Sequence, residues 1–191
     1  MEKKFRLTFT EGLLGTASAN PELYEEFIVS KHPQKPQDDE CESLKTPEEE
    51  IENGTTIFSR DENGNPHLWD YQIKGFFKDA QGCLNRITKM PAYKKIIDGL
   101  VFVNERKIPL KLAGEMTFCE RTLRVQTPQG ERVALARSEE APTGTTIEFT
   151  VKVLDKKLMA KVIEWLEYGA LRGLGQWRNS GKGRFKFEEL G

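Results

Sequence analysis

The sequence predicts an α+β domain with an antiparallel sheet of the ferredoxin-like type, βαββαβ, carrying insertions and a β-hairpin arm. Alternating apolar and polar residues at 4–10 and 142–154 are typical of half-buried strands. Apolar residues recur at helical spacing after Asp70 and after Asp155, which predicts two helices that pack on a sheet. The order strand, helix, several strands, helix and strand fits this fold.

The first half of the chain contains a strand, a hairpin and a helix. Residues 4–10 form the strand, and Asn63-Gly64 between 55–59 and 66–69 predicts a tight hairpin turn. Asp70 is placed to cap the helix that follows. Its apolar face comprises Tyr71, Ile73, Phe76, Phe77, Ala80, Leu84 and Ile87.

Short elements separate the two helices. A helical turn at 93–98 is closed by Gly99, and strands are predicted at 100–103, 107–112, 115–119, 123–126 and 133–137. Residues 128–130, Pro-Gln-Gly, are typical of a turn and predict a β-hairpin arm over 121–137. Basic residues of this arm are Arg121, Arg124, Arg132 and Arg137.

The second helix is predicted over 156–168, capped by Asp155 and ended by Gly169. Its apolar residues are interpreted as core positions, which excludes a cofactor motif on that face. A last strand is predicted at 184–187.

Composition excludes several classes of protein. A chain of 191 residues with 37% hydrophobic content is long enough for one domain, 1–191, with a buried core. No run approaches the eighteen apolar residues of a membrane span and no secretory segment opens the chain, so we expect a cytoplasmic protein without a membrane partner. The three cysteines lie far apart and away from His32 and His67, so neither a metal site nor a disulfide framework nor another cofactor is expected.

The charges are segregated along the chain. Residues 38–53 carry a net −7, which leaves +6 on the remainder of a chain whose total is −1. Proline and acidic residues with almost no large apolar ones predict a flexible acidic insertion at 31–54. It is either a solvated run or an arm that shields a basic surface from polyanions.

The stretch 168–187 combines five glycines with five cations that no carboxylate in the stretch opposes. Glycine permits positive φ and close approach to backbone amides, and guanidinium and ammonium groups bind phosphate oxygens. A phosphate-facing loop is therefore predicted, with Trp177 able to stack on a base; the alternative is a helix end followed by an edge strand with solvated cations. The predicted contacts here are Arg172, Gly173, Gly175, Trp177, Arg178, Gly181, Lys182, Gly183 and Arg184.

Three stretches carry a family resemblance. GLGQWRNSGKGRF near the C-terminus, PHLWDYQIKGFFKDA after the hairpin, and the strand entry at 142–154 stand in the order seen in the repeat-associated mysterious protein (RAMP) superfamily. The chain resembles a small stand-alone member related to backbone subunits of CRISPR effector complexes. The matches lie within 55–80 and 142–187, less than half of the chain.

The resemblance implies an RNA-binding protein with an RRM-like sheet that offers an open face to single-stranded RNA. Implied partners are CRISPR RNA or a similar strand and other CRISPR effector subunits. In backbone subunits an extended hairpin intercalates at bound RNA, so the arm at 121–137 is either such a contact surface or an ordinary exposed hairpin. Further predicted RNA contacts are Lys74, Lys78 and Arg124.

Catalytic residues are not evident. A metal-independent ribonuclease of the related processing type requires a general base, most often histidine. His32 and His67 each stand alone in sequence, and Asp61 in the hairpin turn has a conformational use. We therefore expect no enzyme. A phage or mobile-element protein that mimics a CRISPR subunit is the alternative, and an RNA-processing endoribonuclease is a second one.

Overall fold

The structure describes residues 1–19, 54–127 and 130–190, and side chains are described outside 123–134. It is a computed structural model. Apart from Gly54, the predicted acidic insertion at 31–54 lies outside the described residues, and so does His32.

The described residues form an α+β fold in which groups of strands are separated by helices. In chain order the elements are β1 (Glu2–Phe9), β2 (Leu13–Leu14), β3 (Ala17–Ser18), β4 (Thr55–Ile57), β5 (Ser59–Arg60), β6 (Pro66–Trp69), α1 (Asp70–Thr88), α2 (Tyr93–Leu100), β7 (Val101–Val103), β8 (Lys107–Pro109), β9 (Thr117–Thr127), β10 (Gly130–Ala141), β11 (Thr146–Val153), α3 (Lys157–Arg172), a single 3-10 turn (Arg178–Ser180) and β12 (Phe185–Glu189).

The central sheet of the described residues has the strand order β12, β1, β11, β7, and each neighbouring pair is antiparallel. Phe5, Leu7 and Phe9 of β1 point to the same face because side chains alternate along a strand, and all three are buried. Phe149 of β11 lies opposite Phe5 and is buried with it. One face of this sheet therefore packs against the hydrophobic core.

Helices α1 and α3 cover that face. The Phe77 ring of α1 lies 5.4 Å from the Trp165 ring of α3, and Phe76 lies 6.0 Å from Phe185 of β12. Burying a large apolar side chain of this kind contributes roughly 1.5–3 kcal/mol. The Trp165 indole N–H donates to the buried Gln81 amide oxygen at 2.8 Å, so these two polar groups are paired inside the core.

The prediction that Gly169 ends the second helix is wrong. Helix α3 continues through it to Arg172, and Gly173 follows as the C-cap. A Cβ on Gly169 would lie 2.1 Å from the Phe76 ring, so this glycine allows α1 and α3 to approach closely. Similarly, α2 does not stop at Gly99 but includes Leu100.

A second, three-stranded sheet β5-β6-β8 holds the start of α1. In the turn between β5 and β6, the Asp61 carboxylate accepts hydrogen bonds from the amides of Asn63 and Asn65 at 2.9 and 2.8 Å, and Gly64 has φ 80°. These bonds lower the pKa of Asp61. The predicted hairpin turn is present, and Asp61 is part of its construction.

Strands β9 and β10 form a long antiparallel hairpin, paired from Thr117 opposite Glu140 to Thr127 opposite Gly130. The two separate strands predicted at 115–119 and 123–126 are one continuous strand. Strand β10 also pairs with β2 and β4, so the base of the hairpin is fixed to the domain. No helix among the described residues is long and apolar enough to cross a membrane.

Candidate nucleic-acid interface

The loop between α3 and β12 has an unusual backbone path. φ is 90° at Gly173, 84° at Gly175, 89° at Gly181 and 72° at Gly183, and it is also positive, 51°, at Trp177. Residues with a Cβ disfavour this region, whereas glycine adopts it at little cost. We call residues 173–184 the glycine loop.

Close backbone contacts explain two of these glycines. A Cβ on Gly183 would lie 1.9 Å from the Leu174 carbonyl oxygen, and a Cβ on Gly173 would lie 2.4 Å from that of Lys182. The Leu174 amide donates to the Gly183 carbonyl at 2.9 Å, so the two ends of the loop lie against each other. At Gly181 the nearest atoms are 3.7 Å away, so its positive φ alone favours glycine.

Two cations of the glycine loop are paired with carboxylates from other elements. Arg178 Nη1 lies 2.5 Å from Asp79 Oδ2 of α1, and Lys182 Nζ lies 2.6 Å from Glu140 Oε1 of β10. The hydrogen bond to Glu140 raises the pKa of Lys182. The expectation of unopposed cations is therefore wrong at these two positions, because folding brings distant carboxylates to the loop.

The other two arginines of the predicted site differ from these. Arg172, in the last turn of α3, donates from Nη1 to Asn179 Oδ1 at 2.6 Å. Arg184 is exposed and forms no ion pair within the described residues. Neither Arg172 nor Arg184 forms an ion pair within the described residues, and Arg184 is the more exposed of the two.

Trp177 is anchored by the hairpin. Its ring is 40% exposed, and the Arg121 guanidinium lies 5.4 Å from its centroid. Arg121 Nη2 also donates to the Gln176 side-chain oxygen at 2.8 Å, and Gln176 donates to the Gly15 carbonyl at 3.0 Å. Sequence reasoning placed Arg121 on the arm and did not connect it to the glycine loop, because the contact spans 55 residues.

The remaining predicted contacts lie elsewhere. Lys78 pairs with Asp98 of α2 at 2.6 Å, while Lys74 donates to the Asp98 carbonyl at 3.1 Å and lies 5.1 Å from the Phe102 ring. No described contact joins these lysines to the glycine loop. Arg124 lies in β9, and its side chain is outside the described ones.

A groove of about 1170 Å³ lies beside the glycine loop. It is bounded by the loop, by the first turns of α1 and by the residues that follow β2. Arg178 and Asp79 line it together, so their ion pair forms part of its wall. Other lining residues are Leu13, Thr16, Trp69, Tyr71, Gln72, Gly75, Arg106, Leu174 and Gly175.

At the start of α1 the groove has an aromatic pair that sequence reasoning did not include in the site. The Trp69 and Tyr71 rings are stacked, 6.1 Å apart with an interplanar angle of 13°. The Arg106 guanidinium lies 5.4 Å from the Trp69 ring and 5.8 Å from the Tyr71 ring. In the sequence, the signal for this cluster was the pair of aromatic residues on either side of Asp70, where the helix begins. Arg106 contacts these rings because β8, which follows it, pairs with β6.

Among the described residues, the outward face of the central sheet is mainly charged and carries one exposed aromatic residue, Phe102 of β7. On β1 and β11 the outward positions include Lys4, Arg6 and Glu148, and Lys111 joins them from outside the sheet. Glu148 accepts hydrogen bonds from Arg6 and Lys111 at 3.0 and 2.8 Å and lies 3.1 Å from Lys4. These cations, Lys111 foremost, lower the pKa of Glu148 to about 2.

Of the two histidines, His67 is the one that the structure describes. His67 is only 3% exposed and packs edge-on against Trp69, with ring centroids 4.7 Å apart. Burial, and then the nearby Lys107, lower its pKa. No group of three His, Cys, Asp or Glu side chains that could hold a metal ion occurs in the described ranges.

Comparison with known proteins gives similarity at the level of the fold. No protein-family model and no curated protein matches the sequence. A chain in the cryo-EM structure of the type III-B Cmr-β complex bound to cognate target RNA is similar with a TM-score of 0.56 and 13% identity, over 98% of this chain and 60% of that one. This protein thus spans less than two thirds of that chain's length.

A chain of a type IV-B CRISPR complex is similar with a TM-score of 0.52 and 10% identity, over 100% of this chain and 90% of that one. Both similarities extend over nearly the whole of this chain. The protein therefore shares its fold with chains of two CRISPR complexes.

Proposed function

We propose that this protein is a non-catalytic RNA-binding protein of the RAMP type, and that the glycine loop is its principal phosphate contact. The observation that carries the proposal is the loop itself. Four positive-φ glycines and three cations lie on this short segment at the edge of a groove, and Arg172 directly precedes it. Phosphate contacts commonly use backbone amides and basic side chains together.

We propose that the central sheet is ferredoxin-like. In this arrangement α1 connects β1 with β7, and α3 connects β11 with β12. The strand order β12, β1, β11, β7 supports it, because split βαβ units place the first and third strands of the motif side by side. The glycine loop then lies at the entry to the last strand, and the groove lies at one end of the sheet.

Backbone amides strengthen the proposed phosphate contact. In the described part of the chain, the amides of Gly175, Gln176 and Trp177 donate no backbone hydrogen bond. Arg184 supplies a charge that no described carboxylate pairs, and Arg178 and Lys182 are available once a phosphate replaces their carboxylate partners. Arg172 is bonded to the neutral Asn179 side chain, and a phosphate oxygen in a charge-assisted hydrogen bond is a stronger partner than that amide oxygen.

Trp177 is proposed to stack on a base next to that phosphate. Its exposed ring lies beside the loop, and Arg121 holds it from the hairpin side. Lys74 and Lys78, with Arg124 on the hairpin, are proposed as outer contacts that extend the basic path. Single-stranded RNA, such as a CRISPR RNA, fits this combination of cations and rings.

We also propose that the protein works alongside other CRISPR subunits, since its fold is shared with chains of two CRISPR complexes. A second candidate is a protein that mimics such a subunit and diverts the effector. It is favoured by one observation: Arg178 and Lys182 are already paired with the protein's own carboxylates, Asp79 and Glu140. Binding to a purified effector from which the RNA has been digested would separate mimicry from RNA binding.

The test is an equilibrium titration of a fluorescent single-stranded RNA at several salt concentrations. We expect Arg178→Ala/Lys182→Ala to weaken binding and to flatten the log–log salt dependence by about 0.7 per lost phosphate contact. The matched control is Lys156→Ala/Lys157→Ala, which removes the same charge from exposed positions at the other end of α3, about 22 Å from Arg172.

The control should bind with nearly unchanged affinity and slope. If the two double variants weaken binding equally, net charge and not the glycine loop determines the affinity. If the wild-type chain binds no RNA at any salt concentration, the proposal fails, and mimicry of a CRISPR subunit becomes the better explanation of the fold.

A further inference from the structure

The aromatic pair at the start of α1 is held in place by polar contacts on several sides. The Trp69 indole N–H donates to Ser59 Oγ at 3.0 Å, and the Trp69 amide donates to Gln72 Oε1 at 2.7 Å. Arg106 Nη1 donates to Asp70 Oδ1 at 2.6 Å, which fixes its guanidinium over the rings. The rings and the guanidinium are therefore ordered before any ligand arrives.

These groups remain accessible although they are ordered. The Tyr71 side chain is 55% exposed, and the Arg106 side chain is 68% exposed. A second cation, Lys107, lies 5.8 Å from the Trp69 ring. The cluster thus combines flat π faces with positive charge, which is the chemistry that binds a nucleobase attached to a phosphate.

The cluster and the glycine loop line the same groove. Trp69, Tyr71 and Arg106 lie on one side of it, and Gly175 and Arg178 lie on another. The groove volume of about 1170 Å³ exceeds the roughly 300–1,000 Å³ that is usual for small-molecule sites. A strand whose phosphate lies on the glycine loop therefore has space to extend a nucleotide across the groove.

We propose that Trp69, Tyr71 and Arg106 form a nucleobase platform, a second RNA subsite in which a base stacks on the exposed aromatic surface and Arg106 contacts the adjoining phosphate. This inference rests on the proposed RNA-binding function and adds to it. Positive charge at Arg106 and Lys107 disfavours a basic peptide as the occupant. Stacking tolerates any base, so the platform supplies affinity without sequence preference.

The experiment compares two RNA probes of equal length and charge, an oligoadenylate decamer and a decamer in which abasic riboses replace the nucleotides. The variants are Trp69→Leu, which keeps apolar volume but removes the π face, and Arg106→Ala. The matched control is Arg86→Ala, an exposed arginine in the last turn of α1, about 24 Å along the helix from Asp70.

We expect Trp69→Leu to bind the adenylate probe about tenfold more weakly, with little change for the abasic probe. Arg106→Ala should weaken binding of both probes, and of the adenylate probe more. Arg86→Ala should behave as the wild type. Because Trp69 also packs against His67, Trp69→Phe is included as a folded variant that retains a ring and should bind within about twofold of the wild type.

Three results overturn the platform. The first is that the wild-type chain binds both probes equally tightly. The second is that the Trp69→Leu variant is folded, as judged by circular dichroism, and keeps the wild-type preference for the adenylate probe. The third is that Arg106→Ala binds both probes as Arg86→Ala does. In each case salt-dependent binding by the wild type leaves the proposed function standing. If the wild type binds neither probe, the proposed function and the platform fail together.

Discussion

The open face of the central sheet and the groove beside the glycine loop both carry cations, but these cations have different partners in the two regions. On the sheet face, Lys4, Arg6 and Lys111 converge on the single carboxylate of Glu148. In the glycine loop, Arg178 and Lys182 each have a separate carboxylate partner. The groove combines its cations with the stacked rings of Trp69 and Tyr71 and with Gly175, a glycine of positive φ.

This difference shows why a count of basic residues does not locate a polyanion site. On the sheet face, several cations surround the one carboxylate of Glu148 and lower its pKa. Removing any one of these cations therefore disturbs the whole network. Arg178 and Lys182 each lie in a single, partly buried ion pair, so a phosphate has only one carboxylate to replace at each of them. The groove is therefore the better candidate, although its cations are not unpaired.

The largest expected effect concerns the backbone of the groove wall. Gly183→Val should lower the free energy of unfolding by about 2–6 kcal/mol, from left-handed strain and from the clash with the Leu174 carbonyl. Gly181→Val should cost about 1–3 kcal/mol, since strain alone acts there. Urea denaturation followed by circular dichroism measures both.

The Gly181 variant is the informative control, because it shares the positive φ but not the clash. It should also weaken RNA binding more than its stability loss accounts for, since Gly181 lies between Arg178 and Lys182. Equal losses of stability in the two variants would show that the close contact between the loop ends is unimportant.

The next prediction exchanges a carboxylate for its neutral isostere inside the groove. Asp79→Asn retains an acceptor for Arg178 but removes a negative charge that competes with phosphate. RNA affinity should rise about two- to fivefold, the range that corresponds to an exposed ion pair. A filter-binding or anisotropy titration at low salt measures the change.

Glu164→Gln provides a matched comparison, because Glu164 pairs with Lys161 on α3 at 2.6 Å with similar exposure and does not line the groove. It should leave RNA affinity unchanged. A rise of equal size in both variants would show a general effect of net charge, and a fall in Asp79→Asn would show that its carboxylate positions Arg178 for the ligand.

Much of the fold could be predicted from the sequence, because it depends on local periodicity. Alternation at β1 and β11, the apolar face of α1 and the Asn63-Gly64 turn are each encoded within a few residues. Gly169 was misinterpreted because a glycine at a helix end and a glycine at a helix crossing look alike in sequence. Only the position of Phe76 against it distinguishes the two.

The candidate site was less predictable, because its partners are distant in sequence. The positive φ of the glycines follows from their clustering, but Asp79 lies 99 residues from Arg178 and Glu140 lies 42 residues from Lys182. The Trp69, Tyr71 and Arg106 cluster depends on the pairing of β6 with β8. No local pattern predicts that pairing, and Tyr71, which is exposed in the structure, was predicted on the core face of a helix.

The smallest expected effect on RNA binding, with a clear effect on stability, comes from Glu148→Gln on the sheet face. The folded pKa of Glu148, about 2, is below the ordinary value of 4.5, so its ionised form stabilises the fold above about pH 4.5 and this contribution is lost as pH falls towards 2. The variant should thus melt at a lower temperature than the wild type at pH 7, and the difference should shrink between pH 4.5 and pH 2. RNA affinity at pH 7 should change less than in Asp79→Asn, because Lys4, Arg6 and Lys111 lie outside the groove. If Glu148→Gln raises RNA affinity more than Asp79→Asn does, the sheet face and not the groove is the polyanion site.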